Sequence, residues 1–101
     1  MELTIDRERN QIRIRATGAI TTTQEAMTLK KGLSEAVRGE EHATITVEIP
    51  DSFFLPSSVI GSLLQLAEIE HHKVELHAKQ PELRESLKKL GLDQILGVRG
   101  G

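Results

Sequence analysis

Two serines, Ser57 and Ser58, stand behind Pro56 within the longest apolar helical pattern of the chain, Phe53 to Ile69. A hydroxyl at a helix start can accept a hydrogen bond from a free amide, a cap worth typically ~1 kcal/mol over alanine. It can also carry a phosphoryl group, which adds about −1.5 to −2 charges. The free amides and the dipole of a helix start accommodate such an anion. In bare sequence most serines of this kind are caps. Other chemistry is thinly represented. "PSSVIG" lacks the glycines two residues either side of a serine that a nucleophile elbow needs. There is no glycine-rich phosphate loop. Glu40 and Glu41 read as solvated charges in a surface loop. His71 and His72 adjoin a predicted helix end, where a partly charged imidazole is favourable. Adjacent helical residues point about 100° apart, and His77 alternates with the inward residues of its segment, so it should face out. Those rings do not converge as metal ligands must. No metal site, cofactor or enzymatic activity is expected.

The chain has 101 residues, enough for one small domain. Apolar residues make up 38% and the only aromatics are two Phe, so the core must be built from Leu, Ile, Val and Ala. Thirteen basic and fifteen acidic residues give a net charge of −2 with neither sign dominating a segment. Without a basic stripe, Tyr or Trp, nucleic acid is not an expected partner. With no cysteine there is neither a disulfide framework nor a thiolate metal site. "MELTIDRER" is charged from its second residue and does not read as a secretory signal. The apolar run after Pro56 is too short and broken to span a bilayer, so direct membrane insertion is not expected. The composition fits a soluble, cytoplasmic protein.

The segments that position these residues are short. "LTI" at 3–5 and "QIRIRATG" at 11–18 alternate with period two, placing Ile12, Ile14 and Ala16 on one face. "RERN" between them reads as a polar turn with Asn10 left-handed. From Thr22 the period becomes helical: Ala26, Leu29, Leu33, Ala36 and Val37 share a face, and Thr22 with Glu25 forms a capping box. Gly39 is a terminator just past that face. Gly32 inside the helix weakens it by up to ~1 kcal/mol relative to Ala, which a close packing contact would explain. "ATITVEIP" is a strand ended by Pro50. Val59, Ile60, Leu63, Leu64, Leu66, Ala67 and Ile69 cover more than half of the next helix, predicting the most buried helix of the chain. "KVELHA" alternates with Val74, Leu76 and Ala78 inward. "PELRESLKKLG" is an amphipathic helix with Pro81 at its first position and a Leu83, Leu87, Leu90 stripe. "LDQIL" adds an apolar turn or short strand, and 97–101 reads as a flexible tail. The order β-β-α-β-α-β-α predicts an α/β fold with a mixed sheet of about four strands and helices packed on it. It forms a single domain over 1–101 with its core at about 3–96.

Three stretches, "IRATGAITTTQEAMTLKKGL", "TITVEIPDSFFLPSSVIGSLLQL" and "KVELHAKQPELRESLKKLGLDQIL", together resemble the STAS domain. That domain occurs in bacterial anti-sigma factor antagonists (anti-anti-sigma factors) and in cytoplasmic tails of sulfate transporters. The resemblance spans roughly Leu3 to Leu96. The antagonists' signature, Asp-Ser-Ser-Gly followed by an apolar residue and Gly, falls on Pro56, Ser57, Ser58, Val59, Ile60 and Gly61. Ser57 thus matches the serine phosphorylated by a partner kinase that is also the anti-sigma factor. Pro56 replaces the signature aspartate, Val59 its glycine, and Thr21 stands where many members carry another aspartate.

The resemblance implies a non-catalytic phosphoprotein acting in signal transduction and transcription regulation through protein–protein contacts. Its partner would be an anti-sigma factor or serine kinase-like protein, contacted through Thr21, Thr22, Phe53, Phe54, Pro56, Ser57, Ser58, Val59 and Ser62. One of the two Phe should anchor in the core and its neighbour face solvent. The alternatives are a STAS subunit of an ABC-type lipid transport complex that grips the ATPase without phosphorylation, or a degenerate STAS domain binding a small ligand or nucleotide. The exposed part of the signature helix also allows a homodimer.

Overall fold

A computed structural model describes residues 1–100. Five strands form one sheet in the order β1-β2-β3-β4-β5: Glu2–Glu8, Gln11–Thr17, Thr44–Glu48, Lys73–His77 and Val98–Arg99. β1 and β2 are an antiparallel hairpin with Glu8 opposite Gln11, a tighter turn than the four residues expected, and Asn10 takes the left-handed conformation predicted for it. The remaining pairings are parallel.

Parallel neighbours require crossovers, here helices α1 (Thr23–Ala36), α2 (Ser57–Leu64) and α3 (Pro81–Lys89). Each crossover adds its strand on the same side of the last one. Because such connections are right-handed, all three helices must lie on one face of the sheet. The strand pattern agrees: Ile12, Ile14, Ala16, Ile45, Val47, Ile49, Val74, Leu76 and Ala78 are buried, and the intervening residues are polar. Against this face pack Ala26, Leu29, Leu33, Ala36 and Val37, the predicted α1 stripe, with Leu63, Leu83, Leu87 and Leu96. Gly32 has the close contact its position suggested: a Cβ there would lie 2.6 Å from Leu3 Cδ2, so the missing side chain seats β1 against α1.

Three expectations need correction. α2 runs on into a π-helical turn, Gln65–Ile69, in which the Glu70 N–H donates to Gln65 O at 3.0 Å. The wider turn carries Ile69 off the buried face, and it is 71% exposed. Leu90 is the C-cap of α3 rather than part of its stripe, and it faces solvent. Finally, Val98 and Arg99 are not a free tail. They pair with Leu76 and His77 as the fifth strand, held by Leu76 N–H to Leu96 O at 3.0 Å and Ala78 N–H to Arg99 O at 2.9 Å. Gly101, the last residue of the expected tail, lies outside the described residues.

Gly97 opens that last strand at φ +52°, where a Cβ would stand 2.7 Å from Val74 O. Gly97→Ala should therefore cost about 1–3 kcal/mol, read as a lower urea midpoint. Gly61→Ala, on a helix with nothing within 4 Å of the added atom, should instead gain up to ~1 kcal/mol.

Candidate functional site at the carboxyl ends of the strands

The signature residues sit where two loops leave the carboxyl ends of β2 and β3. The first loop joins β2 to α1 and the second joins β3 to α2. They are fastened together. The Gly18 N–H donates to Asp51 Oδ2 at 2.7 Å, and the Ile20 N–H donates to the hydroxyl of buried Ser52 at 3.3 Å. The spacing along the chain, 33 and 32 residues, is why sequence reasoning missed both anchors. No local pattern announces a side chain that caps a distant backbone.

The first loop is closed by the predicted capping box. Glu25 Oε1 accepts from the Thr21 and Thr22 N–H groups at 3.0 and 3.2 Å and from both threonine hydroxyls, while the Thr22 hydroxyl accepts from the Glu25 N–H at 3.1 Å. Glu25 Oε2 accepts from the amino group of Met1 at 3.1 Å. These donors, the Thr21 amide first, then the Met1 amino group and the Thr21 hydroxyl, lower the Glu25 pKa from 4.5 to about 2. Thr21 and Thr22 themselves remain exposed.

In the second loop the serines do not cap. Pro56 occupies the N-cap position and its carbonyl accepts from the Val59 and Ile60 N–H groups at 3.0 and 3.1 Å. No side chain completes the cap, and Ser57 and Ser58 become the first two residues of α2, both exposed. The Ser62 hydroxyl bonds back to the Ser58 carbonyl at 3.1 Å and is half-buried. Val59, at 1% exposure, is a core residue and no part of this surface.

Phe53 and Phe54 also depart from expectation, since neither anchors in the core. Each is 54% exposed. The loop abandons strand alternation after Pro50, and its inward positions are filled by Ser52 and Leu55, which leaves both rings between them facing out. They head a sixteen-residue stretch, Ser52 to Ala67, without one charged side chain in a chain that is 28% charged. That gap in the charge pattern was the readable signal for this surface.

The histidines lie elsewhere. His72 is buried, and its Nδ1 accepts from the Ala43 N–H at 3.1 Å, joining the end of the π turn to the start of β3. His71 takes φ +58°. His77 lies on the sheet face away from the helices, partly buried. Among the described residues no three His, Asp or Glu side chains gather as a metal set would. Nor is any helix of the described residues long and apolar enough to cross a membrane.

The lowered Glu25 pKa fixes a pH dependence. A carboxylate whose pKa is depressed by folding adds stability at pH values above its unfolded pKa and loses it as pH falls. The contribution should be complete above about pH 4.5 and disappear towards about pH 2. Thermal melts of the parent chain and Glu25→Gln should differ near neutral pH and converge on acidification, with the parent the more stable.

No protein-family model matches the chain and no curated protein matches it in sequence. Among solved structures it is similar to the anti-sigma factor antagonist SpoIIAA in its unphosphorylated form. The TM-score is 0.72 at 17% identity, covering 97% of this chain and 88% of that one. The arrangement of strands and helices described above is thus a STAS-like fold, shared with that solved structure.

Proposed function

We propose that the protein is a non-catalytic interaction module, an antagonist-like regulator that binds a kinase-type anti-sigma factor in a partner-switching pathway. The observation that carries this reading is the pair of exposed rings, Phe53 and Phe54, on a long uncharged stretch. Aromatic side chains are enriched at interfaces and supply most of the energy where they fill a pocket. Around them Thr21, Thr22, Pro56, Ser57, Ser58 and Ser62 offer small, uncharged contacts. The Asp51 and Ser52 fastenings hold the two loops in register before a partner arrives, which reduces the ordering cost of binding. The partner surface that fits is apolar, with a cleft for the rings.

Ser57 is the regulatory residue of this reading. Its hydroxyl is exposed at the start of α2, where an added anion is tolerated by the helix and its free amides. The same charge would be placed in the middle of an uncharged contact and would have to be desolvated there. Modification would then dissolve the interface while sparing the fold.

The test is capture of partners by tagged protein from its native cells, followed by binding measurements on whichever partner is recovered. Phe53→Ala with Phe54→Ala should weaken binding by at least about tenfold at unchanged melting temperature. Ser57→Glu should weaken it comparably, with stability within about 0.5 kcal/mol of the parent. Mass spectrometry of the captured chain should find phosphate on Ser57. Full binding by the double Phe variant would exclude this surface. Recovery of transport ATPase subunits with unmodified Ser57 would replace the switch with a constitutive grip.

A further inference from the structure

The helices cover one face of the sheet and leave the other open, an uncommon condition for parallel strands, which are usually buried on both sides. Across the open face runs a row set by the strand register: Thr4, Arg15, Glu48, His77 and Arg99. At the carboxyl ends of β2, β3 and β4 this row borders a hollow of about 140 Å³, lined by Arg15, Glu48, Pro50, His77 and Lys79. That is ample room for one tetrahedral oxyanion with water beside it. Carboxyl ends of parallel strands are where open α/β sheets bind ligands.

The charges of the hollow are not neutralised within it. Arg15 and Lys79 form no ion pair among the described residues. Arg99, at the end of the row, is held by Glu75, its Nε 3.2 Å from Oε1. His77 Nε2 is a buried nitrogen with no hydrogen-bond partner; the nearest carboxylate oxygen, Glu75 Oε1, lies 3.7 Å away. Unsatisfied buried polar atoms are costly and scarce. Arg15 and Lys79 stand against Glu48 within the hollow, while Glu75 at its edge is shared between Arg99 and His77.

We propose that this hollow binds a small oxyanion, a phosphate or the terminal phosphoryl group of a small molecule. Arg15 supplies a planar fork of donors suited to such a group and Lys79 a second positive charge, while the His77 ring forms part of the wall. Glu48, between Arg15 and His77 in the register, weakens the site and sets its affinity. The inference is independent of the partner-binding surface, which lies with the helices on the other side of the sheet.

Titration of the isotope-labelled protein with inorganic phosphate at constant ionic strength, followed by NMR, tests it. Saturable shifts are expected at Arg15, His77 and Lys79. Arg15→Gln should weaken binding at least tenfold. Glu48→Gln should tighten it severalfold, an effect that loss of structure could not produce. Arg13→Gln, one row away beside Asp6 and Glu75, should change it little. A parallel titration with phosphoserine separates the sources: tighter binding assigns the site to a carried phosphoryl group, equal binding to free phosphate. Shifts that never saturate, that spread over all basic residues, or that are unchanged in Glu48→Gln overturn the proposal.

Discussion

The handedness of the three crossovers governs this molecule. Each parallel strand is added on the same side of its predecessor, so the helices have no choice of face. One side of the sheet must be apolar and the other must meet water. Every strand from β2 to β4 obeys, with Ile, Val, Leu and Ala on the covered side and Arg, Thr, Glu, His and Lys on the open side. The same constraint sends all β-to-α loops to one end of the sheet. Both surfaces described here, the aromatic loop and the charged hollow, are at that end and differ in which side of the sheet they occupy.

The aromatic loop depends on local choices that work together. Pro50 stops β3, Ser52 and Leu55 turn inward, and Pro56 starts α2 with its carbonyl. The two rings and two serines are what remains on the outside. Glu25 organises the neighbouring loop from below, and Asp51 and Ser52 bind one loop to the other. A surface with so little charge is stable in water because it is small and carried on backbone fixed by polar contacts beneath it.

Much of this was legible in the residues. Period two located the strands, period 3.6 located α1 and α3, and the Thr22–Glu25 spacing gave a cap that the structure reproduces. The misreadings fall where a regular pattern stopped sooner than its period implied, where a neighbouring residue took the expected role, or where a distant segment was needed. Ser57 looked like a cap, but Pro56 already held that position. The Phe pair looked half buried because alternation was carried one segment too far. Val98 and Arg99 looked loose because a two-residue strand has no period, and only the edge of β4 gives it a place. Ile69 and Leu90 lay on correct helical patterns whose ends unwound or stopped one residue early.

β5 carries a kinetic implication. Until residues 96–99 have left the ribosome, β4 ends the sheet with a row of unpaired amides and carbonyls. Leu96, fully buried in the finished fold, has by then not covered its share of the core. A nascent chain at that stage presents an open parallel edge, the template that promotes pairing between neighbouring chains. The short fifth strand is thus a closing step in folding: it covers the end of the β4 edge against pairing with other copies.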